Sequence, residues 1–281
     1  MQPLSFLSRV FAEERPSAAH SSSGPPSRPL VIGHRGASHD HPENTIVAFR
    51  AAMQQGADGV ELDVMRCGSG EVVVVHDDTL ERLAPGQAGA GQLVRETPLG
   101  ELRRFDLGGG ERIPTLDAVF RALGPQALVN VELKSASLQR TTDYLRLPLD
   151  DGLATAVVKV LERAGRLNAS GLTLVSSFDP FQLLRFQSAS RGIVPLGYLF
   201  EAGQSVRTRE LYRLPLWSLA AVHPEAKLVD GPALRTWRQR GLRVNAWTVD
   251  NPSEIAALAA LGVEAIITNR PGAVRRQLTT R

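Results

Sequence analysis

The chain has a single cysteine, Cys67, and that scarcity excludes both an intrachain disulfide and a cysteine-cluster metal site. Folding therefore does not depend on an oxidising compartment. Lysine is nearly as rare, limited to Lys134, Lys159 and Lys227, so the basic residues are almost all arginine. Those arginines are scattered rather than striped, and the formal net charge is only +3 from 32 basic and 29 acidic residues. No nucleic-acid partner is expected from that balance. No run approaches the ~18 apolar residues of a membrane-spanning helix, so stable insertion into a bilayer is not expected either. No Gly-x-Gly-x-x-Gly follows the first strand-like run, which leaves a dinucleotide-binding fold without support. What is present is 281 residues with 43% hydrophobic content, enough for two small domains or one large α/β barrel.

Residues 1–29 differ from the rest. Ser17 to Arg28 is rich in Ser, Pro and Gly with no apolar period, and reads as a disordered lead. Leu4 to Phe11 is amphipathic, but no basic region precedes it and no apolar core of about 7–15 residues follows, so cytoplasmic residence is expected over export. From Pro29 onward β-rich runs alternate with helical periods. Strands are expected at 30–35, 59–65, 71–76, 128–134, 172–178, 195–200, 219–223, 243–249 and 265–268. Helices are expected at 45–55, 115–123, 153–164, 180–188, 205–212, 232–240 and 253–261. Such alternation means a parallel sheet covered by helices. Nine strands are one too many for an eight-stranded barrel, and the surplus is absorbed if 59–77 forms a hairpin around Gly68-Ser69-Gly70. The expected fold is a single (β/α)8 TIM-type barrel over residues 30–281 with that hairpin as an extension.

Chemistry is suggested where ionisable residues interrupt apolar runs: Val31-Ile32-Gly33-His34-Arg35, Val60-Glu61-Leu62-Asp63-Val64, Val72-Val73-Val74-Val75-His76 and Val129-Asn130-Val131-Glu132-Leu133-Lys134. A charge there costs several kcal/mol of desolvation unless it is paired or bound to metal. Residues two apart on a strand share a face, so Glu61 points with Asp63 and Glu132 with Lys134. A two-residue turn at Gly68-Ser69 would set position 61 opposite 76 and 63 opposite 74, placing His76 directly across from Glu61. In a barrel these groups lie toward the C-terminal ends of strands, where catalytic residues gather. Three converging carboxylates need a cation, and oxygen-only ligands select one hard divalent ion, Ca2+ or Mg2+. Arg35 and Lys134 add fixed positive charge for an anion. His34 and His76 are the natural acid/base pair. The substrate suited to this set is a phosphodiester.

The run GHRGASHDHPENT from Gly33 to Thr45 resembles the opening motif of the glycerophosphodiester phosphodiesterases. The resemblance continues through Glu61-Leu62-Asp63-Val64, Val75-His76-Asp77-Asp78-Thr79-Leu80, Ile113-Pro114-Thr115-Leu116, Val131-Glu132-Leu133-Lys134, Trp247-Thr248-Val249 and Ile267-Thr268-Asn269-Arg270-Pro271. It implies a β/α barrel that hydrolyses glycerophosphodiesters to sn-glycerol 3-phosphate and an alcohol. By resemblance His34 is the general base, His76 the general acid, Glu61, Asp63 and Glu132 the metal ligands, and Arg35 and Lys134 the phosphate contacts. Members of the family commonly carry Asp where this chain has Asn269, a position to which no role is assigned. The short, glycine-rich segment from Asp77 to Pro114 has no room for a larger inserted domain, as in compact bacterial forms. Phe178 and Trp247 end later strands and are candidates for an apolar wall over the glycerol carbons. His223 is read as structural, and His39 and His41 as loop residues. Two alternatives remain: a lysophospholipase D-like barrel acting on lysolipids, and a non-catalytic phosphodiester-binding barrel, which loss of a histidine or carboxylate would favour.

Overall fold

The structure, a computed structural model, describes residues 28–135 and 150–279; the expected lead lies outside them except for Arg28 and Pro29. Within them the apolar runs form strands and the amphipathic segments form covering helices. In chain order these are β1 (Leu30–His34), α1 (Ile46–Gln54), β2 (Gly59–Arg66), β3 (Val72–Val74), α2 (Leu99–Leu102), α3 (Leu116–Leu123) and β4 (Leu128–Leu133). After them come α4 (Leu153–Arg163), β5 (Thr173–Ser177), α5 (Pro180–Ala189), β6 (Leu196–Phe200), α6 (Val206–Arg209), β7 (Leu219–Pro224) and α7 (Gly231–Arg238). The last four are β8 (Arg243–Ala246), α8 (Pro252–Leu261), β9 (Ala265–Thr268) and α9 (Pro271–Thr279). Side-chain oxygens of Thr45, Thr115, Asp179, Asp230 and Asn251 accept from backbone N–H groups of the first turns of α1, α3, α5, α7 and α8, which fixes where those helices begin.

Eight parallel strands close on themselves in the order β1-β9-β8-β7-β6-β5-β4-β2, with β1 paired to β2. The ninth strand is the expected hairpin arm. β1 stops at the pair His34↔Glu61, and further along β2 Val64 pairs with Leu133 on one side and with Val74 of the antiparallel β3 on the other. The hairpin register differs from expectation by one residue. Its pairs are Val64↔Val74, Met65↔Val73 and Arg66↔Val72, so position 61 does not face position 76. The cause is a three-residue turn, closed by the Cys67 N–H donating to the Glu71 carbonyl at 3.0 Å, with Gly70 at φ +100°. Two helices were not expected, α2 and α9. The segment expected to be helical over 205–212 divides into α6 and a 3-10 turn, Glu210–Arg213.

Outward strand residues such as Val60, Leu62, Val131, Val175 and Val222 are buried against Phe49, Val119, Leu161, Leu183 and Phe186 of the helices, forming the main core. Inside the barrel the apolar filling includes a small cluster of Ile32, Ala265 and Ile267, with Leu30, Leu128 and Trp247 against it, together with Leu199 and Ala221. The remaining inward positions include Glu61, Asp63, Asn130, Glu132, Ser176 and His223, all buried polar groups. The barrel's interior is thus unusually polar on the side of β2, β4, β5 and β7. Among the described residues no helix is long and apolar enough to cross a membrane.

Candidate active site

The segment after β1 is bound to β2 by its own backbone. Gly36 has φ +88°, and a Cβ there would lie 2.5 Å from the Ala48 carbonyl carbon, so the close approach of this turn to α1 requires glycine. The turn aims the Arg35 N–H at Glu61 Oε2 (3.0 Å). Asn44, buried with φ +59°, donates from Nδ2 to Asp63 Oδ2 at 2.9 Å and accepts from the Asp63 N–H at 3.3 Å. Both β2 carboxylates are therefore oriented before any ligand arrives.

Glu61, Asp63 and Glu132 come together as expected, each offering an oxygen within 4.8 Å of the others. Their exposures are 3%, 1% and 8%, and Asp63 and Glu132 are direct partners across β2 and β4. Lys134 Nζ lies 3.0 Å from Glu132 Oε1 and 3.6 Å from Asp63 Oδ1, while Arg35 Nε lies 3.2 Å from Asp63 Oδ2. Two cations face three carboxylates, and the deficit falls on Glu61. Burial, with the charges of Asp63 and Glu132, pushes the Glu61 carboxyl well above its ordinary value. Burial also raises Glu132, against the pull of Lys134. Asp63 feels the same burial, yet Lys134 and Arg35 hold it below the carboxylate range. Glu61 Oε1 and Asp63 Oδ1 are buried with no hydrogen-bond partner. Dry carboxylate oxygens that converge on one point, Glu61 Oε1 with nothing against it and Asp63 Oδ1 with only Lys134 at 3.6 Å, are a donor set for a hard cation, so the residues present fit a divalent metal.

The histidines are held differently. His34 Nδ1 lies 2.7 Å from Asn269 Oδ1, and burial together with the Arg35 charge lowers its basicity. His76 lies beyond the end of β3, so the loop rather than the pleat sets its approach, and it still acts electrostatically on Asp63 and Glu132. Its Nδ1 is 2.6 Å from Asp77 Oδ1. Asp77 also accepts from Arg82 Nε at 2.6 Å, and Arg82 and Arg35 both donate to Glu43. The His76 bond and Arg82 hold the Asp77 carboxyl far below its ordinary range.

A cavity of about 540 Å³ opens beside His34, lined also by Arg35, Ser38, His39, Glu43, Asp250, Asn251, Asn269 and Arg270. Phe178 and Trp247 meet edge to face with centroids 5.4 Å apart, and Trp247 Nε1 donates to the His223 carbonyl at 2.7 Å. His223 itself is enclosed in the barrel, its Nε2 2.9 Å from Asn245 Nδ2, and burial pushes its pKa down to about 3. His39 is exposed on the cavity rim, bonded to Asp40, and His41 lies outside the cavity lining. Sequence reasoning missed Glu43, Asn44, Asp77, Arg82 and Asp250. Glu43 and Asn44 sit inside the GHRGASHDHPENT run and Asp77 adjoins His76, which were signals; Asp250 offered only its place shortly after β8.

Residues 34–273 match the model of the glycerophosphoryl diester phosphodiesterase family. A glycerophosphodiester phosphodiesterase of Caldanaerobacter subterraneus subsp. tengcongensis is 32% identical over 250 residues, which is 86% of this chain and 94% of that protein. Among solved structures, a phosphodiesterase from Oleispira antarctica in complex with the product sn-glycerol-3-phosphate superposes with a TM-score of 0.72 at 29% identity, covering 90% of this chain and 97% of that one. The glycerophosphodiester phosphodiesterase of Thermotoga maritima superposes with a TM-score of 0.69 at 27% identity, covering 88% of this chain and 97% of that one.

Proposed function

The chain belongs to the glycerophosphoryl diester phosphodiesterase family, and from that premise we propose that it hydrolyses glycerophosphodiesters to sn-glycerol 3-phosphate and an alcohol, using a divalent cation and two histidines. The observation that carries this reading is the cluster of Glu61, Asp63 and Glu132, with its unpartnered oxygens, beside two histidines each engaged through Nδ1. The three carboxylates would hold Ca2+ or Mg2+, which when bound supplies positive charge to a phosphate oxygen.

The chain's own groups divide the proton transfers. Asn269 Oδ1 accepts at His34 Nδ1, so that nitrogen carries the ring proton and Nε2 is free to take one from the nucleophile. His76 has a carboxylate, Asp77, against Nδ1, which complements a ring protonated on both nitrogens and suits it to give a proton to the leaving alcohol. Arg35 and Lys134 bring fixed positive charge to the phosphate. Phe178 and Trp247 form an apolar wall for the glycerol carbons. The product complex of the Oleispira antarctica relative supports the glycerol phosphate half of the substrate as the part recognised. Release of sn-glycerol 3-phosphate from glycerophosphocholine, assayed with added Mg2+ or Ca2+ and then with chelator, tests the reading. Turnover that survives exhaustive chelation would exclude the metal, and absence of release with every cation would exclude the substrate class.

A further inference from the structure

We propose that Asp250 and Asn269 are positioning residues that set the tautomer of His34, Asp250 by dictating which way round the Asn269 amide stands. The inference rests on His34 as the general base. Asn269 Nδ2 donates to Asp250 Oδ2 at 2.6 Å, while Asp250 Oδ1 accepts from the Asn269 N–H at 2.9 Å and from Thr268 Oγ1 at 2.7 Å. An ionised carboxylate can only accept, so the NH2 of Asn269 must face Asp250 and its oxygen must face His34. That oxygen lies 2.7 Å from His34 Nδ1 and 2.8 Å from the Ser38 hydroxyl. The Ser38 hydroxyl has one proton and also lies 2.8 Å from the His34 carbonyl, which can only accept. The group that must donate to the Asn269 oxygen is therefore His34: it carries its proton on Nδ1 and leaves Nε2 as the acceptor. The Thr268 hydroxyl, spent on Asp250, accepts in turn from the Arg270 N–H at 3.0 Å, which locks the turn between β9 and α9. The carboxylate thus acts on the imidazole through an amide whose polarity it imposes.

The consequence is a reversal that ordinary structural support would not produce. In Asp250→Asn, the new amide oxygen must stay on the Asn269 N–H and Thr268 hydroxyl, so its NH2 turns toward Asn269. Asn269 then rotates to present its oxygen there and its NH2 to His34. Ser38 can accept as readily as it donates, so nothing else resists the rotation. The proton of His34 moves to Nε2, and the base is lost. Asp250→Asn combined with Asn269→Asp restores an acceptor at Nδ1, because the carboxylate introduced at position 269 accepts both from the amide at position 250 and from His34.

The test uses the full chain with added Mg2+, labelled with 15N-histidine, and His34→Ala to assign the ring signals. Wild type should show Nδ1–H at His34, Asp250→Asn should show Nε2–H with turnover down roughly 100-fold or more, and the double variant should recover both the wild-type tautomer and turnover within about tenfold. An unchanged tautomer in Asp250→Asn, or a double variant as impaired as the single one, overturns the proposal. Should Asp250→Asn not fold, Asn269→Asp, whose carboxyl must share one proton with Asp250 across the 2.6 Å contact, keeps its other oxygen as an acceptor at Nδ1 and must retain the wild-type tautomer; an inverted ring there overturns it equally. If the tautomers behave as stated while His34→Ala remains active, positioning holds and the assignment of His34 as base falls.

Discussion

Glu61 and Asp63 stand two residues apart on one strand, equally buried, and are pushed in opposite directions because of what touches them. Asp63 has Lys134, Arg35 and Asn44; Glu61 has one N–H on Oε2 and nothing on Oε1. Glu61 is therefore the carboxylate that suffers most without a cation. A carboxyl whose folded value is raised favours the fold below its ordinary 4.5 and weakens it as pH rises through the folded value. In the metal-free protein this contribution should fall as pH rises above about 4.5, opposite in sign to those of buried His34 and His223, whose lowered values add stability over the same range. It is therefore read as the difference between stripped wild type and stripped Glu61→Gln, and Ca2+ or Mg2+ should restore it. Glu61→Gln, stripped of metal at pH 7.5, should melt several degrees above stripped wild type and respond little to added cation. A melting point at or below that of stripped wild type would remove the argument. The two histidines are separable by leaving group. His76→Ala should recover most of its lost rate on a nitrophenyl ester, whose leaving group departs without a proton, while His34→Ala should stay slow by roughly 100-fold or more on every substrate. Parallel losses for both variants on both substrates would undo the assignment of acid and base.

At the scale of elements, the turn after β1 does the most for the site. It spans Gly33 to Asn44 and delivers the Arg35 N–H to Glu61 and two groups, Asn44 Nδ2 and Arg35 Nε, to Asp63. Gly36→Ala would place a methyl into the Ala48 backbone at a positive φ, a conflict of about 2 kcal/mol or more that only movement of the turn can relieve. Its denaturant midpoint should fall, and the concentration of cation giving half-maximal turnover should rise, since Arg35 and Asn44 move with the turn. A destabilised variant with unchanged cation demand would show that the turn supports the fold alone. The barrel itself was legible because strands and helices differ in period, and the carboxylates were legible because they interrupt apolar runs. The hairpin register was not. Gly68, Ser69 and Gly70 are all turn formers, and nothing in their order says whether two or three of them make the turn; the Cys67–Glu71 backbone bond decides it. α9 was overlooked although Pro271 sits at its first position, a start signal, because its sequence is mostly polar. Asp250 was illegible for a different reason: its partner lies 19 residues away across strand ends, and only the pairing of β8 with β9 joins them.

Over the whole molecule, chemistry and closure occupy opposite ends of the barrel. The carboxylates and histidines lie toward the C-terminal ends of the strands, while at the other end Asp58 ties three elements together. It accepts from the Val31 N–H at 2.8 Å and pairs with Arg275 of α9 at 2.8 Å and Arg28 at 2.9 Å. Such a division separates stability from turnover. Residues 1–27 hold one short amphipathic stretch, Leu4 to Phe11, followed by a Ser/Pro/Gly-rich run with no apolar period, so a chain of residues 28–281 should match the full-length protein in melting point and in turnover. Starting at residue 30 instead removes Arg28, a partly exposed partner worth up to about 1 kcal/mol. That loss should lower the melting point by at most about 4 °C. Turnover should not change, because the pair lies at the far end from the carboxylates. Melting curves and glycerol phosphate release for the three lengths measure this directly. A 28–281 chain with reduced turnover would mean that the leading segment reaches the catalytic end, and that the two ends of the barrel are not independent.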